Sequence, residues 1–382
     1  MINVKIEVKM VPKQVKISTR QLLILTILFT IGTAILVIPS VMAATAKQDA
    51  WIAALVGVGS GLLLIWLYNT ITILYPQMTL IEIMETLLGK WLGKSVALLF
   101  MVMFFLGGPA AVLYDSGNFL TTQMMPETPM QAVNILFALI VLMGVRLGLE
   151  TVARSAELLF PLFILLYTAF VILVVSNIKL ENAQPMLEKG GGPVWSAALS
   201  FISIAFLTHI VFLMIFPFVD QPDQARRAFL TGGLIGGLIL VVVIVLAVLV
   251  FGHELTARSM YPSYSLAQKI NIGNFLQRIE AIMAAMWFIS LFFRLALYMQ
   301  SIMIAISQIF NLKDDRPLIF PIGMILIVMS VIIYPNVPYQ QSWDAKIWTP
   351  FSLSMGLFLP LLLLCMHGIR KIWSKKKIGT EG

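Results

Sequence analysis

One arginine stands alone in a long apolar run: Arg294, within Leu-Phe-Phe-Arg-Leu-Ala-Leu. If that run crosses a bilayer, the charge costs at least ~2.5–3.5 kcal/mol on insertion scales, so it must face a bundle interior and have partners. Trp287, Ser290, Arg294, Tyr298 and Ser301 recur every three or four residues, which makes one polar stripe on a helix. A second stripe, Gly108, Ala111, Asp115 and Asn118, follows the Gly107-Gly108-Pro109 bend. A guanidinium grips a carboxylate with two parallel hydrogen bonds. Asp115, an acid well inside an apolar run, is the other natural partner. Arg294 therefore fits two roles, holding a ligand or neutralising Asp115.

A second chemistry lies in backbone breaks. Thr30-Ile31-Gly32-Thr33-Ala34 sits mid-run with Pro39 beyond it, where glycine and β-branched residues permit unwinding if the freed backbone lines a cavity. An opened helix offers free N–H groups to an anion and free C=O groups to a cation, which suits an α-amino acid. Gly32 also fits a plain close-packing role. A comparable stretch is entered through Gly190-Gly191-Gly192-Pro193 and carries Ser200, Ser203, Leu207, Thr208 and His209, with no glycine at the expected break. His209 suits either a ligand or proton site or a hydrogen-bonded packing position.

The elements that position these residues follow from composition. Of 382 residues, 59% are hydrophobic and 12% charged, against about 45–50% and about 25% in soluble domains. Mean hydropathy is +0.94. Ten apolar spans are expected at roughly 21–45, 52–75, 96–118, 130–147, 156–178, 195–218, 228–252, 275–309, 317–335 and 346–369. They divide the chain into a basic cytoplasmic tail (1–20), a ten-helix transmembrane domain (21–369) and a second basic cytoplasmic tail (370–382). With the N-terminus inside, 18 of the 26 Lys/Arg fall on the cytoplasmic side, so the net charge of +8 reads as topology rather than a nucleic-acid surface. Residues 1–20 are basic and interrupted, and the run after them is too long for a signal h-region, so no cleaved leader is expected.

Spans 1 and 6 each open a set of five. Five is odd, so two such halves are inverted relative to each other. Between spans, Thr79-Leu-Ile-Glu82 spells a capping box that opens a short amphipathic helix. Glu150, Arg154 and Glu157 are spaced to pair along a helix. The alternating Val4–Met10 reads as a solvated basic tail.

Enzyme chemistry finds no footing. There is no HExxH, no Gly-rich nucleotide loop and no facing carboxylate pair, and no cofactor is expected. The single Cys365 excludes an internal disulfide or a cysteine zinc site, and three histidines do not suggest a metal or haem centre.

The segment Gly32-Thr-Ala-Ile-Leu-Val-Ile-Pro39, followed by Asp49-Ala-Trp51-Ile52, resembles the first-helix signature of the endospore germination permeases. These are the B subunits of spore nutrient germinant receptors, within the amino acid–polyamine–organocation (APC) transporter superfamily. Leu88-Gly-Lys-Trp-Leu-Gly93, Gly192-Pro193, Arg278-Ile-Glu280 and the run from Trp287 to Tyr298 extend the resemblance over essentially the whole chain. It implies an all-α integral membrane fold of ten helices, a five-plus-five inverted repeat with helices 1 and 6 interrupted, in the inner membrane of a spore. It also implies binding of a small nutrient, commonly an L-amino acid, in a complex with an A subunit and a C lipoprotein subunit. The alternative within the superfamily is an amino acid permease. In relatives the pocket lies among helices 1, 3, 6 and 8, matching Gly32 to Ala34, Gly108, Leu207, Arg294 and Tyr298. Thr30, Asp115, Ser203 and Ser290 join them from the stripes and breaks above. Alanine-responsive relatives can carry a small polar residue at the position of Arg294.

Overall fold

The computed structural model describes residues 16–269 and 280–379. Val4–Met10, Arg278 and the start of the expected eighth span lie outside these. Among the described residues the regular elements are helical, with one isolated parallel bridge between Ile17 and Val219.

Ser18 opens α1 (Thr19–Ile31): its hydroxyl accepts from the Gln21 amide, and the Gln21 side chain accepts from the Ser18 amide. This reciprocal pair satisfies two of the N–H groups a helix start leaves free. α1 stops at Gly32, and α2 (Ala34–Ala46) resumes beyond Thr33. The chain turns at Lys47 (φ 55°) into α3 (Ala50–Leu74). Thr79 caps the short amphipathic α4 (Leu80–Leu88) through the expected box with Glu82. α5 (Lys90–Phe105) passes through one wide π turn at Leu106–Ala110 into α6 (Ala111–Phe119). Pro109 lacks the N–H that a regular turn would use there.

α7 (Met130–Leu147) and α8 (Leu149–Val175) meet at Gly148. α9 (Gly191–Ala205) gives way to a tight 3₁₀ turn at Leu207–Val211 and the short α10 (Phe212–Ile215). α11 (Pro222–Arg258) bends at Gly252, and α12 (Pro262–Lys269) precedes the long α13 (Glu280–Phe310). α14 (Ile319–Ile332) leads to α15 (Val337–Trp343), α16 (Thr349–Leu353) and α17 (Leu359–Gly379), which are joined by two further π turns.

This is a multi-pass membrane architecture. Among the described residues, eight helical stretches are long and apolar enough to cross a bilayer. Two further apolar helices, Thr19–Ile31 and Arg316–Ile332, fall below that length. The count differs from the ten expected for two local reasons. The first expected span is cut at Gly32-Thr33, which leaves a 13-residue half, while its second half runs on through Lys47 into the next helix, and the ninth expected span forms only the shorter helix Arg316–Ile332. Gly191–Phe218 is the most enclosed stretch, with 83% of its apolar window buried, and Leu149–Val175 the least, at 17%. The broken helix is therefore central, and α8 faces outward.

α1 is held along α11 and at its start. Along α11, Gly232 and Gly236 let the backbones close on each other: a Cβ at either would stand 2.7 Å from the Cβ of Thr26 or Thr30. Small residues at such a crossing allow van der Waals contact without a side-chain spacer. At the start of α1, the Ile17 amide donates to Phe218 O (2.9 Å) and Ile17 O accepts from the Asp220 amide (3.0 Å). Lys16 and Arg20 add surface ion pairs with Asp220 and Glu157. Glu157 thus turns toward α1, and only Glu150 and Arg154 form the pair expected within α8.

Candidate functional site

Both interrupted helices end with carbonyls pointing at one side chain. Arg294, 2% exposed, donates from Nη1 to Phe29 O of α1 (3.2 Å) and from Nη2 to Ile204 O of α9 (3.1 Å). Nη2 also donates to Thr208 Oγ1 (3.2 Å). No carboxylate lies within ion-pair distance of the guanidinium among the described residues. Each helix carboxyl end carries roughly half a negative charge, so two facing ends supply about the unit charge an acid would have given. Three hydrogen bonds from a charged donor, at roughly 1.5–3 kcal/mol each, exceed the cost of ~2.5–3.5 kcal/mol given by insertion scales.

The Arg294–Asp115 pair weighed from sequence is absent. Asp115 accepts from Gln340 Nε2 (2.6 Å), on α15, instead. It belongs to a neighbouring group in which Tyr114 and Tyr334 also meet edge to face.

Gly32 is where the arginine passes. With φ +25° it adopts a backbone that L side chains rarely take, and a Cβ there would overlap Arg294 Cδ and stand 2.8 Å from Nη1. The guanidinium lies over the Phe29 ring (5.0 Å) and the Tyr298 ring (5.7 Å), and the two rings meet edge to face. Gly108, in the turn between α5 and α6, packs against Tyr298, since a Cβ at that position would touch the ring at 3.4 Å. Ser290 donates to Trp287 O (2.9 Å) and its hydroxyl stands 3.4 Å from Gly32 O.

Beside the arginine, His209 is fully buried against Phe29, Phe206, Phe212 and Phe229. Its Nε2 stands 2.9 Å from Thr30 Oγ1, whose own hydrogen goes to Thr26 O (2.7 Å). That leaves the imidazole as donor to Thr30, so a second bond ties the break in α9–α10 to the break in α1.

Of the residues singled out from sequence, Thr30, Gly32, Gly108, Leu207, Ser290, Arg294 and Tyr298 gather at this junction. Thr33 and Ala34 form the start of α2, where no side chain caps the helix. Ser203 turns aside, donating to Ser200 O and accepting from Thr349 on α16.

A small cavity of about 20 Å³, with room for about one water molecule, opens beside Tyr298 between Gly108, Leu207, Thr208, Phe351 and Met355. The part played by the last helices was missed from sequence. Gly356 packs so closely on the 3₁₀ turn that a Cβ would overlap the Leu207 carbonyl. Tyr68 of α3 spans the pair, its hydroxyl 2.6 Å from Gly356 O and 3.2 Å from Leu207 O. Gly356 inside an apolar run was the available signal.

Comparison with solved structures gives the fold. The structure of Mhp1, a nucleobase-cation-symport-1 family transporter, superposes with a TM-score of 0.66 at 12% identity, covering 89% of this chain and 76% of that one. The structure of MhsT in complex with L-phenylalanine gives a TM-score of 0.58 at 16% identity, covering 92% and 98%. The chain thus has an all-α membrane fold related to that of these transporters. Among curated proteins it is 31% identical to spore germination protein KB of Bacillus subtilis (strain 168) over 373 residues, 96% of this chain and 97% of that protein. It is 25% identical to spore germination protein A2 of the same organism over 366 residues, 92% and 94%. Residues 16–337 match the family described as Spore germination protein, and the chain belongs to that family.

Proposed function

We propose that the chain binds a small solute of the L-amino acid class where α1 and the α9–α10 connection break, and that binding triggers spore germination. One observation carries this reading: two interrupted helices face each other across a buried arginine whose Nε–H has no acceptor among the described residues. Thr30, Gly32, Thr33, Ala34, Gly108, Leu207, Ser290, Arg294 and Tyr298 form the site, with Ser203 and Asp115 bordering it. Free amides at the start of α2 and the spare Nε–H suit a carboxylate. A relative in fold was solved with L-phenylalanine, which supports the solute class. The architecture is read as ten helices in two inverted sets of five, in the spore inner membrane. An A subunit and a C lipoprotein subunit convert the bound state into a signal.

The second reading is a permease for the same solutes, favoured by the transporter fold. A cavity with room for about one water admits an amino acid only if the helices around it part, and such parting is what alternating access requires.

The test uses the full chain in nanodiscs with a panel of L-amino acids, read by calorimetry. Saturable binding of at least one is expected, and binding of none would remove the proposal. Uptake of the bound solute into proteoliposomes separates the readings: accumulation favours the permease, and binding without accumulation favours the receptor.

A further inference from the structure

The oxygen atoms around the Arg294 guanidinium are those that a small cation would use. Carbonyls at the carboxyl ends of interrupted membrane helices coordinate monovalent cations because the helix dipole and the freed lone pairs both point there. In this chain one such carbonyl from each broken helix, Phe29 O and Ile204 O, together with Thr208 Oγ1, is already engaged by Nη1 and Nη2. The guanidinium has no acid among the described residues to neutralise it, so its charge is balanced by these backbone ends. Gly32 clears the way for the side chain to reach them.

We propose that Arg294 acts as a tethered monovalent cation, a fixed guanidinium in the place where a diffusible ion would otherwise join the two broken helices, so that this chain closes without Na+ or K+. A tethered charge cannot be released to either side. The closed state is then insensitive to ionic gradients, whatever solute the chain takes. The inference rests on the fold and on the arginine geometry, not on the identity of the solute.

The experiment is thermal unfolding of the full chain in nanodiscs at constant ionic strength. For the unsubstituted protein, replacing Na+ and K+ by choline should move the midpoint by less than about 1 °C, since no ion binds the folded state preferentially. Arg294→Ala should lower the midpoint and free the oxygen site. Millimolar guanidinium should then recover most of the loss, rising with the logarithm of concentration. Na+ should recover less and choline nothing, while guanidinium leaves the unsubstituted protein unmoved. Arg294→Met, which keeps the stem and removes the charge, should be destabilised as well. If Arg294→Ala does not accumulate, Arg294→Lys carries the test, because its ammonium should keep the midpoint indifferent to Na+.

A midpoint that falls in choline for the unsubstituted protein would overturn the proposal, because a free cation would then be in use. So would an Arg294→Ala protein blind to guanidinium and Na+, a Na+-dependent Arg294→Lys protein, or an Arg294→Met protein as stable as the parent. None of these readouts involves a solute, so their failure leaves the solute-binding reading standing.

Discussion

Gly32 and Arg294 occupy one another's space: the β-carbon that Gly32 lacks is where the Arg294 side chain crosses α1. A substitution at Gly32 therefore acts first by displacing the arginine from Phe29 O and Ile204 O. Even Gly32→Ala should destabilise the fold by roughly 2–3 kcal/mol, from the clash and the left-handed backbone together. A double-mutant cycle with Arg294→Ala should be strongly less than additive, since either change alone removes the same bonds. Additive losses in the unfolding midpoint would show that Gly32 serves packing alone.

Thr30→Val keeps the shape of the side chain and removes the acceptor for His209. A buried N–H left without a partner costs about 1–3 kcal/mol, so the melting midpoint should drop although the volume is unchanged. An unchanged midpoint would mean that the imidazole finds another acceptor.

Tyr68→Phe should loosen the seam between the 3₁₀ turn and the last helices, because Gly356 O and Leu207 O both lose the phenol. The expected cost is again about 1–3 kcal/mol. Hydrogen exchange should quicken around Leu207–Val211 before it does so elsewhere, and uniform exchange would refute a local role.

Gly236→Leu would drive a branched side chain into Thr30 and Ile27 O across the α1–α11 crossing. Small residues there are what permit the approach. Membrane levels should fall sharply, whereas Gly59→Leu, with open space around its β position, should accumulate normally. Equal levels of the two would rule out the close crossing as a requirement.

Topology is tested by reporter fusions after residues 20, 150 and 376, expected in the cytoplasm, and near 125 and 340, expected outside. A reporter at 376 on the outer side would contradict the proposed ten crossings.

The apolar runs, the Thr79 cap and the break at Gly32 were legible because each rests on a local rule of periodicity, capping or backbone freedom. That Arg294 had to face inward was legible from its cost in lipid. Its partners were not, because Phe29 and Ile204 contribute main-chain oxygens, which leave no mark on residue type. Asp115 drew attention as an acid well inside an apolar run, but Gln340, more than two hundred residues away, is what it bonds. The second break, at Phe206, carries neither glycine nor proline, so tertiary contacts and not local sequence open the helix there.

Seen mechanically, α1 is a lever pivoted at Gly32 and clasped at its other end. Its 13 residues, at about 1.5 Å each, make an arm of roughly 20 Å, so a tilt of about 10° at the pivot displaces the far end by about 3 Å. That is as long as the Ile17 main-chain bonds to Phe218 and Asp220. A tilt of that size, carried by α1 together with the α11 backbone packed on it, would open both bonds, and a smaller one would leave them closed.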